Sequence, residues 1–267
     1  MFVQLLLTIL SFLTPTTHAW GSIGHIAVAQ IAQNNLTSIA RELISDVIPN
    51  GDMSLVANWA DEIRNRPDWY WSEPLHFIDI DDWICNYDRN RDCYNSLGYF
   101  NYCVDGAIQN YTGLLKQNNK DAEYLKFLIH FVGDIHQPLH CGFKNDRGGN
   151  MIKIHFDGHN TNLHSLWDSG LIMKRIKDDF ENDTNMWIKY LINNSISDNC
   201  IGCSELWGNS SARLACNYSY VRDDGLTRIM SGDSLGDEYY KRNIVLIEQL
   251  IVYAGYRLGE LLNYLYV

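Results

Sequence analysis

A chain of 267 residues that is 46% hydrophobic can bury a large core, and no shift of composition along it marks a second domain. Its formal net charge of −11 excludes recognition of nucleic acid through a broad basic surface, which depends on clustered Lys and Arg. Any phosphate chemistry has to be local.

The opening segment, Met1 to Ala19, carries an apolar run from Phe2 to Leu13, then Pro15 and the small-residue ending Thr17, His18, Ala19. It reads as a secretory signal (1–19) cleaved before Trp20, too short for a membrane anchor, although it lacks the usual Lys or Arg at its start. The competing reading is an apolar N-terminal helix of the mature fold. Export would place the protein outside the cell or in a lysosome or vacuole. Asn-x-Ser/Thr triplets at Asn35, Asn110, Asn182, Asn193, Asn209 and Asn217 agree with N-glycans acquired on that route. The cysteines, Cys85, Cys93, Cys103, Cys141, Cys200, Cys203 and Cys216, would then form disulfides, and their odd number leaves at least one over. Cys200 and Cys203 have no second such pair and no histidine nearby, which favours a loop staple over a zinc or redox site.

From Gly24 to Ile48 apolar residues recur every three or four positions, with a break near Asn34 and Asn35, which is helical periodicity. Leu55 to Arg64 reads as a helix stopped by Pro67, and Val104 to Lys116 and Ala122 to Ile135 as two more, the last ended by Pro138. Met151 to Phe156 alternates apolar and polar side chains after Gly148 and Gly149, the mark of a strand in a small hairpin. Helical spacing resumes from Leu163 to Ile176, and Asp237 to Leu265 forms a long closing helix against the core. The expected fold is mainly α, one domain from 20 to 267 with a small β-hairpin and no membrane span.

Chemistry is concentrated in the histidines and carboxylates. His130 and Asp134 lie four residues apart, on one face of a helix, and His164 and Asp168 repeat that spacing on another. His140 follows just past Pro138, and Asp61 and His76 complete a set of imidazoles and carboxylates without a thiolate. Such N and O donors suit catalytic zinc, which keeps a position for water. Each residue also has a purely structural reading: a surface ion pair for either His/Asp pair, a solvated charge for Asp61, a hydrogen-bonded loop residue for His76. Against it, His130 and Asp134 interrupt a run of Leu125, Phe127, Leu128, Ile129, Phe131, Val132 and Ile135, where polar groups without compensation are costly. His136 falls about 200° around the helix from Asp134, which suits packing rather than ligation. His155 and His159 sit in the strand and the loop after it and are read as structural or exposed.

Several blocks, in order and spacing, resemble the S1/P1 nucleases. They are Trp20-Gly21-x-x-Gly24-His25, Trp59-Ala60-Asp61 with Arg64, Pro74-Leu75-His76-Phe77-Ile78-Asp79, the run from His130 to His140, Gly148-Gly149-Asn150, and Asn162-Leu163-His164 with Trp167-Asp168. The resemblance implies a zinc-dependent endonuclease of helical fold that hydrolyses the 3′ O–P bond of single-stranded RNA and DNA to 5′-nucleotides, with 3′-nucleotidase activity, as a monomer. It implies three Zn²⁺ ions. One would lie on Asp61, His76, His130 and Asp134, a second on His140, His164 and Asp168, and a third on His25, Asp134 and the amine and carbonyl of Trp20. Three such ions would add six positive charges to one cleft and reverse its local sign. A Trp20 amine exists only after the preceding peptide bond is cut, so signal cleavage and metal assembly would be coupled.

By the same resemblance Asp61 orients the attacking water and Arg64 binds phosphate oxygens; an Asp61–Arg64 ion pair is the structural reading, compatible with both roles. Phe77 stacks on a base and Asp79 hydrogen-bonds its edge, with core packing the alternative for Phe77, and Asn150 lies at the cleft. Pairing of Cys85 with Cys216 and of Cys93 with Cys103 is implied as well, while Cys141, Cys200 and Cys203 stay unsettled. Two rivals remain. A zinc phospholipase C shares the N-terminal tryptophan, three zincs and helical fold, but carries Glu where this chain has Asp168. A non-enzymatic secreted zinc-binding glycoprotein would be expected to lack Asp61 or Arg64, and both are present.

Overall fold

The computed structural model describes residues 20–194 and 200–267. The expected signal segment lies outside the described residues, as does Ser195, which completes the Asn193 triplet. The helices are α1 (Ser22–Asn34), α2 (Ser38–Ser45), α3 (Trp59–Ile63), α4 (Arg89–Asp92), α5 (Val104–Gln117), α6 (Ala122–Ile135), α7 (Leu163–Ser165), α8 (Leu171–Asp179), α9 (Thr184–Asn193), α10 (Ser204–Leu214) and α11 (Asp237–Leu265). The fold is mainly α, as the periodicity predicts.

Local sequence explains where several of these begin. Asp121 opens α6 by accepting from the backbone N–H groups of Glu123 and Tyr124, Asp183 opens α9 in the same way, and the Thr37 hydroxyl caps α2. The break near Asn34 and Asn35 separates α1 from α2. The helix expected over Leu55–Arg64 is shorter than predicted: a 3₁₀ turn, Met53–Leu55, precedes it, and only Trp59–Ile63 is α-helical. Pro67 then starts a chain of 3₁₀ turns that runs to His76 with Pro74 inside it, as proline, lacking an N–H, would dictate.

The expected strand begins at Lys153 rather than Met151, because Met151 and Ile152 are spent on the Gly148-Gly149 turn, where their N–H groups bond Asp146 and Gly149 carbonyls. Strand β1 (Lys153–Phe156) pairs antiparallel with β2 (His159–Asn162) across Asp157-Gly158, both at positive φ, the chemistry of a tight hairpin. A third short strand, β3 (Ser234–Leu235), adds in parallel to β1, giving the order β2-β1-β3.

Helix α11 lies along α1, and α6 runs through the middle, packed on α5, α11 and α3. Every residue from Phe127 to Phe143 is buried. Phe127 and Phe131 stack at 5.3 Å and Tyr111 of α5 stacks on Phe127 at 4.9 Å. Burying a side chain of this size contributes about 1.5–3 kcal/mol, so the helix that carries polar His130 and Asp134 is also anchored by the densest aromatic packing. Disulfides join Cys85 to Cys216, Cys93 to Cys103 and Cys200 to Cys203, and Cys141 remains a free, buried thiol. Among the described residues no helix is long and apolar enough to cross a membrane.

Candidate metal centre

The polar face of α6 meets α1, α3 and the end of the 3₁₀ run in the protein interior. Asp134, fully buried, presents its two oxygens to different partners. Oδ1 lies 3.3 Å from His25 Nε2, while Oδ2 lies 3.0 Å from His76 Nδ1 and 3.3 Å from His130 Nε2. Asp61 Oδ1 closes the group at 3.6 Å from His76 Nδ1 and 3.5 Å from His130 Nε2. His25 stacks on His130 with ring centroids 3.9 Å apart. That stack needs Gly133, since a Cβ there would stand 2.7 Å from His25 Nδ1.

A second group sits beside the first. His164 Nε2 is 3.4 Å from Asp168 Oδ2, and the His140 and His164 rings are 5.0 Å apart. The stretch between His164 and Asp168 is not a regular α-helix: α7 passes into a π-helical turn, Leu166–Gly170, before α8. Single π turns of this kind concentrate at functional sites.

Three sets of donor atoms lie within 4.8 Å of one another: His25, Asp61 and His130; His76, His130 and Asp134; and His140, His164 and Asp168. The first set differs from the grouping implied by resemblance, which joins His25 to Asp134 and Trp20. Both share the same pocket, because His25 approaches Asp134 at 3.3 Å as well. Trp20 is fully buried, and the following residue, Gly21, donates its N–H to the Asp168 carbonyl at 2.7 Å, tying the start of the described chain to the second group.

Three of the imidazoles are oriented by backbone carbonyls. His130 Nδ1 donates to Ala57 O at 2.7 Å, His140 Nδ1 to His76 O at 2.7 Å and His164 Nδ1 to Gly148 O at 2.6 Å, which turns each Nε2 toward the cluster. Gly148 can offer that carbonyl because it holds φ +59, and a Cβ on it would meet Leu139 O at 2.2 Å. Gln137 secures Asp168: its Nε2 donates to Asp168 Oδ1 at 2.5 Å while its Oε1 accepts from Leu139 N at 2.6 Å. The motif reading missed Gln137 and all the carbonyls. Gln137 could have been suspected as a polar residue lying between two candidate ligands, Asp134 and His140; a carbonyl leaves no mark in a sequence.

Burial dominates the electrostatics of these groups. Burial drives the carboxyls of Asp134 and Asp168 well above the usual range. Burial, with neighbouring His164, pulls His140 well down, and burial brings His164 down to about 4 against the pull of its Gly148 bond. His76 is lowered by burial and by His130, while His130 itself, opposed by burial, is pushed up to about 9 by Asp134 and Asp61. Among the described residues, buried His76 Nε2, His130 Nε2, His140 Nε2, Asp134 Oδ1 and Asp168 Oδ2 have no hydrogen-bond partner. Unmet polar atoms in a core each cost about 1–3 kcal/mol. Nitrogen and oxygen donors, imidazoles of His76, His140 and His164 held neutral, and orphaned lone pairs together fit divalent metal of the zinc type.

The remaining candidates lie around this pocket. Arg64 Nη1 is 3.2 Å from Asp61 Oδ1. Phe77 is half-buried and makes no ring–ring contact among the described residues. Asp79, also half-buried, is raised to about 6 by burial, with Lys144 opposing. Asn150 donates to Arg147 O at 2.9 Å, so its side chain serves the glycine turn. His136 donates from Nδ1 to Val132 O at 2.7 Å and accepts at Nε2 from Arg257 at 2.8 Å, a packing role. His155 and His159 are exposed.

Comparison with known proteins agrees with this geometry. The family model described as S1/P1 Nuclease matches residues 20–267. Endonuclease 1 of Arabidopsis thaliana is 34% identical over 93% of this chain and 87% of its own length. Nuclease S1 of Aspergillus oryzae is 35% identical over 94% of this chain and 93% of its own, and Nuclease P1 of Penicillium citrinum 34% over 91% and 97%. With a buried histidine–carboxylate centre at its middle and a match that spans its described length, the chain belongs to the S1/P1 nuclease family and is a nuclease.

Proposed function

We propose that this nuclease works with three Zn²⁺ ions and hydrolyses the 3′ O–P bond of single-stranded RNA and DNA, leaving 5′-phosphates and free 3′-hydroxyls, and that it acts on 3′-nucleotides as well. The observation that carries the metal reading is Asp134, whose two oxygens face separate sets of imidazoles. Asp61, His76, His130 and Asp134 would hold one ion, His140, His164 and Asp168 the second, and Trp20, His25 and Asp134 the third. Bound zinc supplies Lewis-acid polarisation of the phosphate and acidifies water toward neutrality.

Around that chemistry the chain's own groups have defined tasks. Asp61, fixed by Arg64, orients the attacking water and accepts its proton; the water oxygen bonds to phosphorus, the P–O3′ bond breaks, and the leaving 3′ oxygen takes up a proton. Arg64 donates to the phosphate oxygens as their charge grows. Phe77, with one face not occupied by another ring, stacks on a base, and Asp79 accepts from the base edge. Stacking of this kind requires an unpaired base and tolerates any. Asn150 keeps the glycine turn beneath the cleft. The mature domain runs from Trp20 to Val267, is exported and N-glycosylated, and acts as a monomer. Asn110, Asn182 and Asn217 are exposed sites for glycans, whereas the Asn35 and Asn209 side chains are held in hydrogen bonds.

The test is to incubate the purified, zinc-loaded protein with a single strand, its duplex and phosphatidylcholine. Cleavage of the single strand to 5′-phosphorylated products is expected. Products carrying 3′-phosphates, or lipid cleavage alone, would sink the reading, and metal-edge diffraction would count the ions.

A further inference from the structure

A two-stranded parallel ribbon leads outward from the centre. Ile78 N donates to His140 O at 2.7 Å, Ile80 N to Gly142 O at 3.1 Å and Lys144 N to Ile80 O at 2.8 Å. The ribbon starts at His76 and His140, passes Phe77 and Asp79, and ends at Trp83 beside Phe143, with ring centroids 5.7 Å apart. Trp83 lies seven positions after His76, a span of at most about 25 Å, within reach of a few linked nucleotides.

Trp83 is unusual in three respects. It is 65% exposed, although indole is among the costliest surfaces to leave in water. Its φ of +70 is a conformation that a bulky residue rarely adopts. The Arg228 guanidinium lies 4.9 Å from the ring centroid and Phe143 packs beside the ring, yet most of the residue stays exposed, so indole surface remains accessible for a base. Arg228 is half-buried and makes no ion pair among the described residues; its Nη1 is buried there without a hydrogen-bond partner, so the exposed remainder of the guanidinium is what a phosphate could reach. Its position is fixed from behind. Ile229 N bonds Tyr220 O at 2.9 Å, and the Tyr220 hydroxyl accepts from Phe143 N at 3.1 Å and donates to Asp146 at 2.9 Å. Asp82 accepts from Asn145 Nδ2 at 3.1 Å, which holds its carboxylate toward that loop but leaves its charge in place, so Arg228 is the cation that must outweigh it.

We infer that Trp83 and Arg228 form an additional nucleotide subsite on the single-stranded substrate, several units from the scissile bond, in which a base stacks on the exposed indole surface and the guanidinium pairs with a backbone phosphate. This rests on the single-strand reading of the centre. It assigns the subsite to binding and not to chemistry: a substrate of two nucleotides, filling only the centre, does not reach it. Trp83 and Arg228 extend the footprint without making the acidic surface basic, since one cation and one π face replace a patch.

The test compares kinetics on a dinucleotide and on a single strand of about 12 nucleotides for wild type, Trp83→Ala, Trp83→Phe and Arg228→Gln. Trp83→Ala should raise KM for the long strand between about 5-fold and about 100-fold, leave kcat in place and leave the dinucleotide untouched. Trp83→Phe, which keeps a π face, should recover most of the loss. Arg228→Gln should flatten the slope of log KM against log salt by about 0.7 on the long strand. A wild type inactive on single strands overturns the parent reading and this inference with it. An active wild type with KM unchanged in Trp83→Ala, or with equal losses on both substrates, overturns the subsite alone.

Discussion

The two halves of the metal centre are built in different ways. The group around Asp134 hangs on regular helix: His130 and Asp134 project from one face of α6, a helix held by Phe127, Phe131 and Tyr111, and one carboxylate serves both sides. The group around Asp168 hangs on irregular backbone: a 3₁₀ turn for His140, a π turn for Asp168 and a left-handed glycine behind His164. Irregular backbone cannot fix side chains by repetition, so this half relies on explicit hydrogen bonds from Gln137 and Gly148. Packing of α6, with the Ala57 carbonyl on His130, fixes one half, and individual polar contacts on irregular backbone fix the other.

The comparison can be broken most directly at Asp134. Asp134→Asn should remove more than one zinc ion by elemental analysis and lower activity beyond the roughly 10- to 100-fold that loss of an outer partner costs. Loss of a single ion would show that the carboxylate does not serve both sides. Gln137→Leu should act on the other half alone. We expect zinc affinity there to fall about 10- to 100-fold, so that at limiting free zinc one ion is missing while the Asp134 group stays loaded. Depletion of two or more ions would mean that the halves are not separable.

A smaller effect is expected outside both halves. Asp79 has its carboxyl raised to about 6, so the acceptor that we propose for the base edge is ionised above that pH, and as pH falls through about 6 it gains a proton and the acceptor is lost. KM for a nucleotide substrate should therefore rise by up to about tenfold on acidification, in line with one charge-assisted hydrogen bond. Asp79→Asn should flatten that rise without changing zinc content. A pH profile identical in wild type and variant would remove Asp79 from substrate contact.

How far the sequence could be read follows the same division. The i, i+4 spacing of His130 and Asp134 is a statement about regular helix, and α6 is one. The same spacing in His164 and Asp168 brings the side chains together at 3.4 Å although the backbone between them is a π turn, so the pairing was legible and the conformation was not. The carbonyls of Ala57, His76 and Gly148 were invisible, and Gln137 could be suspected but not assigned a partner, because their roles depend on which distant segment arrives beside them. Helices α9 and α10 escaped the periodicity reading, although Asp183 caps α9 and Trp187, Ile188 and Leu191 mark its buried face. Strand β3, two residues long, exists only because β1 offers it an edge.

One thiol carries a consequence for making this protein in the laboratory. Three disulfides use Cys85, Cys93, Cys103, Cys200, Cys203 and Cys216, and the cysteine left over is Cys141, sealed in the interior directly after His140. During oxidative refolding every thiol is reachable, and any bridge that captures Cys141 would drag its neighbour out of place. Misoxidised chains should therefore be zinc-poor as well as misfolded, and the two defects should co-purify. Cys141→Ala should raise the yield of zinc-replete protein from reduced, denatured chain and leave the specific activity per bound zinc as it was. The buried thiol thus makes metal content a readout of correct disulfide sorting.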